Sequence, residues 1–144
     1  MKKYITRTSN TCWRDCLACM LEVRPERVPD FVKEYKNKYM DITREWLKEN
    51  FGMGLVYVPA RCFMETGLVR YNGPVGPEGY SIGHLSMIDM RSMHVIICYN
   101  GMAYFDNGDD RSVEYGTIEG YFVLYNLEAP QAKLVKKMRK KTGK

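Results

Sequence analysis

No apolar run in this chain approaches the roughly 20 residues that a helix needs to cross a bilayer, so a membrane-spanning helix is excluded. The start, Met1-Lys2-Lys3-Tyr4-Ile5-Thr6, turns polar before the apolar centre of a signal peptide could form. The expectation is a soluble cytoplasmic protein with no membrane partner. No internal repeat is visible, which excludes solenoids and propellers. Histidine is scarce: two in 144 residues, His84 and His94, so a histidine base has only two candidates. Five cysteines make an odd number, and nothing suggests secretion, so a disulfide framework is excluded and reduced thiols are the default.

What is present is one domain's worth of apolar material, 45% of residues, with 27% charged. The formal charge is +5, but Lys133, Lys136, Lys137, Arg139, Lys140, Lys141 and Lys144 crowd the C-terminal end, and the remainder is close to neutral. Residues 1–130 are therefore expected to form one domain and residues 131–144 a solvated basic tail. No nucleic-acid-binding motif accompanies the tail, so no specific nucleic-acid partner is expected.

The first third reads as helical. A helix is predicted from Asn10 or Thr11, either of which offers a capping oxygen, to about Glu22, before Arg24-Pro25 ends it. A second is predicted from about Asp30 to Lys36, and a third from the cap Asp41 over Ile42 to Phe51, stopped by Gly52. Strand signals follow: Leu55-Val56-Tyr57-Val58, Tyr80 to Ile88, Met93 to Tyr99, Met102 to Phe105 and Tyr121 to Tyr125. Asn100-Gly101 is the strongest hairpin turn, because both positions tolerate positive φ. Helices first and antiparallel strands later make an α+β domain.

The chemistry concentrates in two segments. In Asn10-Thr11-Cys12-Trp13-Arg14-Asp15-Cys16-Leu17-Ala18-Cys19, Cys12 falls where the helix begins, and unpaired N–H groups there stabilise a thiolate. In His94 to Asp106, a histidine opens one strand of the hairpin and an aspartate closes the other. Ideal pairing across Asn100-Gly101 sets Asp106 about one residue from opposite His94, and a bulge or small shift would bring its carboxylate to one imidazole nitrogen. Cys12, His94 and Asp106 thus form a candidate nucleophile, base and orienting acid. His84 is the rival base, with Asp89 near it in sequence.

A second reading of the crowded thiols is weighed and set aside. Cys12, Cys16 and Cys19 have the spacing that radical enzymes use for an iron–sulfur cluster, but Ala18 stands where those loops carry an aromatic residue, and the three lie in a helix-forming run. Cys16 and Cys19 are expected as small core residues. Cys62, His84 and Cys98 are isolated, so no second half of a zinc site exists. Neither a metal nor another cofactor is expected.

At these residues the chain resembles the papain-like cysteine peptidase fold, in the small single-domain form related to bacteriocin-processing peptidases and to bacterial and phage proteins. Cys12-Trp13-Arg14-Asp15-Cys16-Leu17-Ala18 is similar to the family's cysteine–aromatic helix start. Glu26-Arg27-Val28-Pro29-Asp30-Phe31 resembles the segment after it, and His94-Val95-Ile96-Ile97 through Phe105-Asp106 resembles the histidine strand and its acidic partner. The resemblance implies N-terminal helices packed on a C-terminal antiparallel sheet, in a bacterial or phage-infected cell. It also implies attack by Cys12 on the acyl carbon of a peptide or protein substrate, proton transfer by His94 and orientation by Asp106. The family places a glutamine before the cysteine as oxyanion donor. This chain has Thr6, Arg7, Thr8 and Ser9 there, so Asn10 or the Cys12 N–H takes that role, with Ser9 a poorer choice. The expected function is a thiol hydrolase cutting a peptide, isopeptide or other amide bond. The alternative is a non-catalytic binding protein on the same fold, such as a phage accessory factor that engages a host protein.

Overall fold

The computed structural model describes residues 11–63, 76–86, 93–105 and 117–127. Among the described residues, three α-helices come first: α1 (Cys12–Leu21), α2 (Phe31–Tyr35) and α3 (Tyr39–Phe51). Five strands follow: β1 (Met53–Pro59), β2 (Tyr80–Ser86), β3 (Met93–Tyr99), β4 (Met102–Phe105) and β5 (Thr117–Asn126). The domain is α+β, with helices against a five-stranded antiparallel sheet in the order β1-β5-β2-β3-β4. The last strand thus inserts between the first two.

The helix ends follow local chemistry with two departures. Glu22 closes α1 at φ 56°, and Gly52 closes α3 at φ 62°, the left-handed geometry expected of a C-terminal cap. Thr11 stands at the α1 N-cap but does not cap it; its hydroxyl donates to Asp15 Oδ2 at 2.8 Å. The third helix begins at Tyr39, earlier than the Asp41 cap predicts, because the chain enters it directly from a 3-10 turn at Lys36–Lys38. Asp41 is left in the first turn, 3.9 Å from Arg44. The hairpin turn behaves as expected, with Asn100 at φ 51° and Gly101 at φ 81°.

Strand alternation divides the sheet into two faces. Val95 and Ile97 of β3, Ile82 of β2 and Phe122 of β5 form the main core with Trp13, Cys16, Leu17, Ala18 and Cys19 of α1 and Leu47 of α3. Ile96, Cys98, Leu85 and Tyr121 form a second, smaller core on the other face. Among the described residues, no helix is long and apolar enough to cross a membrane.

Candidate functional site

Cys12 is the first residue of α1 and is half-buried. Its neighbour Trp13 is 4% exposed and held on three sides. The indole ring meets Phe122 edge-on at 4.9 Å and Tyr39 at 5.9 Å. Its Nε1 donates to Thr43 Oγ1 at 3.2 Å, and the Thr43 hydroxyl in turn donates to the Tyr39 carbonyl at 2.7 Å. One buried hydroxyl therefore ties the residue after the thiol to the first residue of α3. Burial and then the charge of Cys12 push the Tyr39 phenol above its usual pKa, so Tyr39 lies within electrostatic reach of the thiol.

The third residue after Cys12, Asp15, has no solvent exposure. It accepts the Thr11 hydroxyl, and Arg14 Nε lies 3.7 Å from its other oxygen. A buried carboxylate persists only with such partners, and here they brace the chain on both sides of Cys12.

One turn further on, the Cys16 thiol donates to the Val95 carbonyl at 3.5 Å. Val95 directly follows His94. The contact therefore packs the first turns of α1 on β3 near its start, but it does not join Cys12 to His94. His94 is half-buried and pairs in register with Leu85. Alternation places it with Ile96 and Cys98 on the side of the smaller core, whereas Val95 and Ile97 face α1. The β3–β4 hairpin carries a bulge, with Cys98 opposite Ala103 but Ile97 opposite Phe105. Asp106 and Asn10 lie outside the described residues, as do Asp89, Ser9 and the basic tail.

His84 is differently placed. It pairs with Val95, and so stands on the α1 side of the sheet. Its Nδ1 is 3.2 Å from Tyr57 Oη of β1, and its ring lies 6.4 Å from that of Phe122. Opposite it in β5 is Gly120, where a side chain would collide with the Tyr57 hydroxyl. Burial and then Glu119 hold the Tyr57 phenol above its usual pKa, so it stays protonated through neutral pH. Tyr57, Tyr39 and Thr43 carried no local sequence signal, because each holds its place through a contact with a residue 26 to 30 positions away.

The other thiols divide by environment. Cys16, Cys19 and Cys98 are buried and Cys62 is exposed. Burial pushes the Cys98 thiol up to about 12, against a smaller opposing effect of the Gly83 N–H. Among the described residues, no three of His, Cys, Asp and Glu are grouped to hold a metal ion. No protein-family model, curated protein or solved structure matches this chain.

Proposed function

We propose that the protein is a cysteine-dependent amide hydrolase of papain-like architecture, acting on a peptide or protein substrate. The observation that supports this reading is the Cys16–Val95 contact, which packs the helix headed by Cys12 on the histidine strand β3, although on the face that Val95 and His84 share and not on that of His94. The Cys12 thiolate adds to the acyl carbon, and His94 holds the thiol proton. The oxyanion collapses, the amine leaves with the proton from His94, and water then cleaves the thioester with His94 as base. Asp106 orients the imidazole. The Cys12 N–H and Asn10 are the oxyanion donors carried over from the resemblance.

A specific observation favours a second assignment of the base. His84 stands on the α1 side of the sheet and has its Nδ1 engaged by Tyr57, which leaves Nε2 for proton transfer. Substitution separates the two. Under the first assignment, His94→Ala removes nearly all labelling of Cys12 by an acyl-electrophile probe, Asp106→Asn leaves a residual, and His84→Ala does little. Activity against pH then shows an acidic and an alkaline limb that belong to the coupled thiol–imidazole pair. If His84→Ala is the silencing change, His84 is the base. Loss of neither activity nor labelling in both variants, or no selective labelling of Cys12 at all, leaves the non-catalytic binding protein.

A further inference from the structure

Thr11 stands at the N-cap of α1, where a threonine hydroxyl ordinarily accepts from a backbone N–H of the first turn. Here it makes no such cap and donates to Asp15 Oδ2 at 2.8 Å. The Asp15 N–H donates in turn to the Thr11 carbonyl at 2.9 Å, so Asp15 holds both the side chain and the main chain of Thr11. The Asp15 carboxylate has no solvent exposure, and Arg14 Nε lies 3.7 Å from its other oxygen. A buried carboxylate and a cap given up both cost stability, and both fall on the residue next to Cys12.

The peptide joining Thr11 to Cys12 is one planar trans unit, so its carbonyl and its N–H point in opposite directions. The carbonyl points along the helix to the Asp15 N–H, which aims the Cys12 N–H out of the start of α1, where no carbonyl of the helix reaches it. We infer that Asp15 is a positioning residue for that N–H. Through the Thr11 hydroxyl it keeps the peptide plane from turning, so the donor already faces the acyl oxygen before charge builds there. This rests on the hydrolase reading above, in which the Cys12 N–H is an oxyanion donor. A carboxylate has the wrong sign to stabilise an oxyanion, so the contribution of Asp15 is geometric, and it moves no proton in the step.

The test compares two reagents on Cys12 in a Cys62→Ser background, because Cys62 is exposed. p-Nitrophenyl acetate acylates a thiolate through a tetrahedral oxyanion, read as released p-nitrophenolate, whereas iodoacetamide alkylates the same thiolate by displacement with no oxyanion. Thr11→Val keeps the shape of a half-buried residue that caps nothing and removes the hydroxyl; Thr11→Ser keeps it. The expected result is a fall of about tenfold to a hundredfold in acylation for valine and full rescue by serine, with the iodoacetamide rate within about threefold throughout. Asp15→Leu should lower acylation as Thr11→Val does, and the double variant no further, because the two act as one. Should Asp15→Leu fail to fold, the valine–serine comparison decides alone. Acylation unchanged by valine, a parallel fall with both reagents, or effects that multiply in the double variant each overturn the inference. Acylation of Cys12 in the background protein no faster than that of a free thiol overturns the hydrolase reading first, and the role of Asp15 with it.

Discussion

Replacing Thr43 by valine removes one hydroxyl from a site with no solvent exposure and changes the shape of the side chain little. That hydroxyl accepts from Trp13 Nε1 and donates to the Tyr39 carbonyl. In the variant, the indole N–H has no acceptor, at about 1–3 kcal/mol for a buried donor left unsatisfied, and a second bond worth about 0.5–1.5 kcal/mol is lost. The Tyr39 carbonyl also lies within the helix, so its loss belongs at the low end, and the total is about 2–3 kcal/mol. That is a large part of a typical stability of about 5–15 kcal/mol. Thr43→Ser keeps the hydroxyl and loses a methyl, at about 1 kcal/mol, so valine is expected to be the worse of the two. Urea unfolding followed by far-ultraviolet circular dichroism and Trp46 fluorescence gives both values. The mechanism is isolated in a Trp13→Phe background, which has no N–H to strand: there the valine change is expected to cost about 1–2 kcal/mol less. An equal cost in both backgrounds would refute the argument.

Further expectations follow from the same contacts. Cys12→Ala should abolish labelling by the acyl-electrophile probe, exposed Cys62 notwithstanding, without loss of stability, because its side chain is half-buried, whereas Cys16→Ala loses buried volume and the Val95 contact, at about 1–2 kcal/mol by urea unfolding. If Cys16 or Cys19 labels in place of Cys12 at neutral pH, the nucleophile is misassigned. Gly120→Ala puts a methyl against the Tyr57 hydroxyl and should displace it from His84, seen as a change in the His84 ring-nitrogen resonances at a cost of about 1–3 kcal/mol; unchanged resonances contradict the Tyr57–His84 pairing. Cys98 is neutral in the folded protein up to about pH 12, while in the unfolded chain it ionises near the ordinary thiol value of 9.0. Above that lower value the unfolded state holds fewer protons, so stability falls as pH rises from about 9 towards 12, by up to roughly 1.4 kcal/mol per unit. Tyr39, Tyr57 and Tyr121 act in the same direction. Cys98→Ala should flatten part of that alkaline slope, and an unchanged slope would show that Cys98 does not ionise on unfolding.

Sequence by itself determined the parts of this protein that depend on neighbours in the chain. The run Met93–Tyr99, the turn Asn100-Gly101 and the return Met102–Phe105 were readable because alternation and positive-φ residues act over a few positions. The end of α3 at Gly52 was readable for the same reason, whereas α1 starts near the expected place without the Thr11 cap that the expectation rested on. The start of α3 was not, because a preceding turn of helix removes the need for the Asp41 cap. Tertiary structure alone decided that β5 lies between β1 and β2, since pairing of Leu55 with Leu124 joins segments with no common local signal. That insertion, with β1 beside β5, is what brings Tyr57 over Gly120 to His84. It decided the faces as well: periodicity shows that His84 and Val95 each alternate with apolar neighbours, but only the register makes them partners on the α1 side and places His94 opposite Leu85. The place of Cys12 at a helix start was legible from one segment; its surroundings of Trp13, Thr43 and Tyr39 were not, because they are assembled by packing α3 against α1, and packing depends on shape across the core and not on order along the chain.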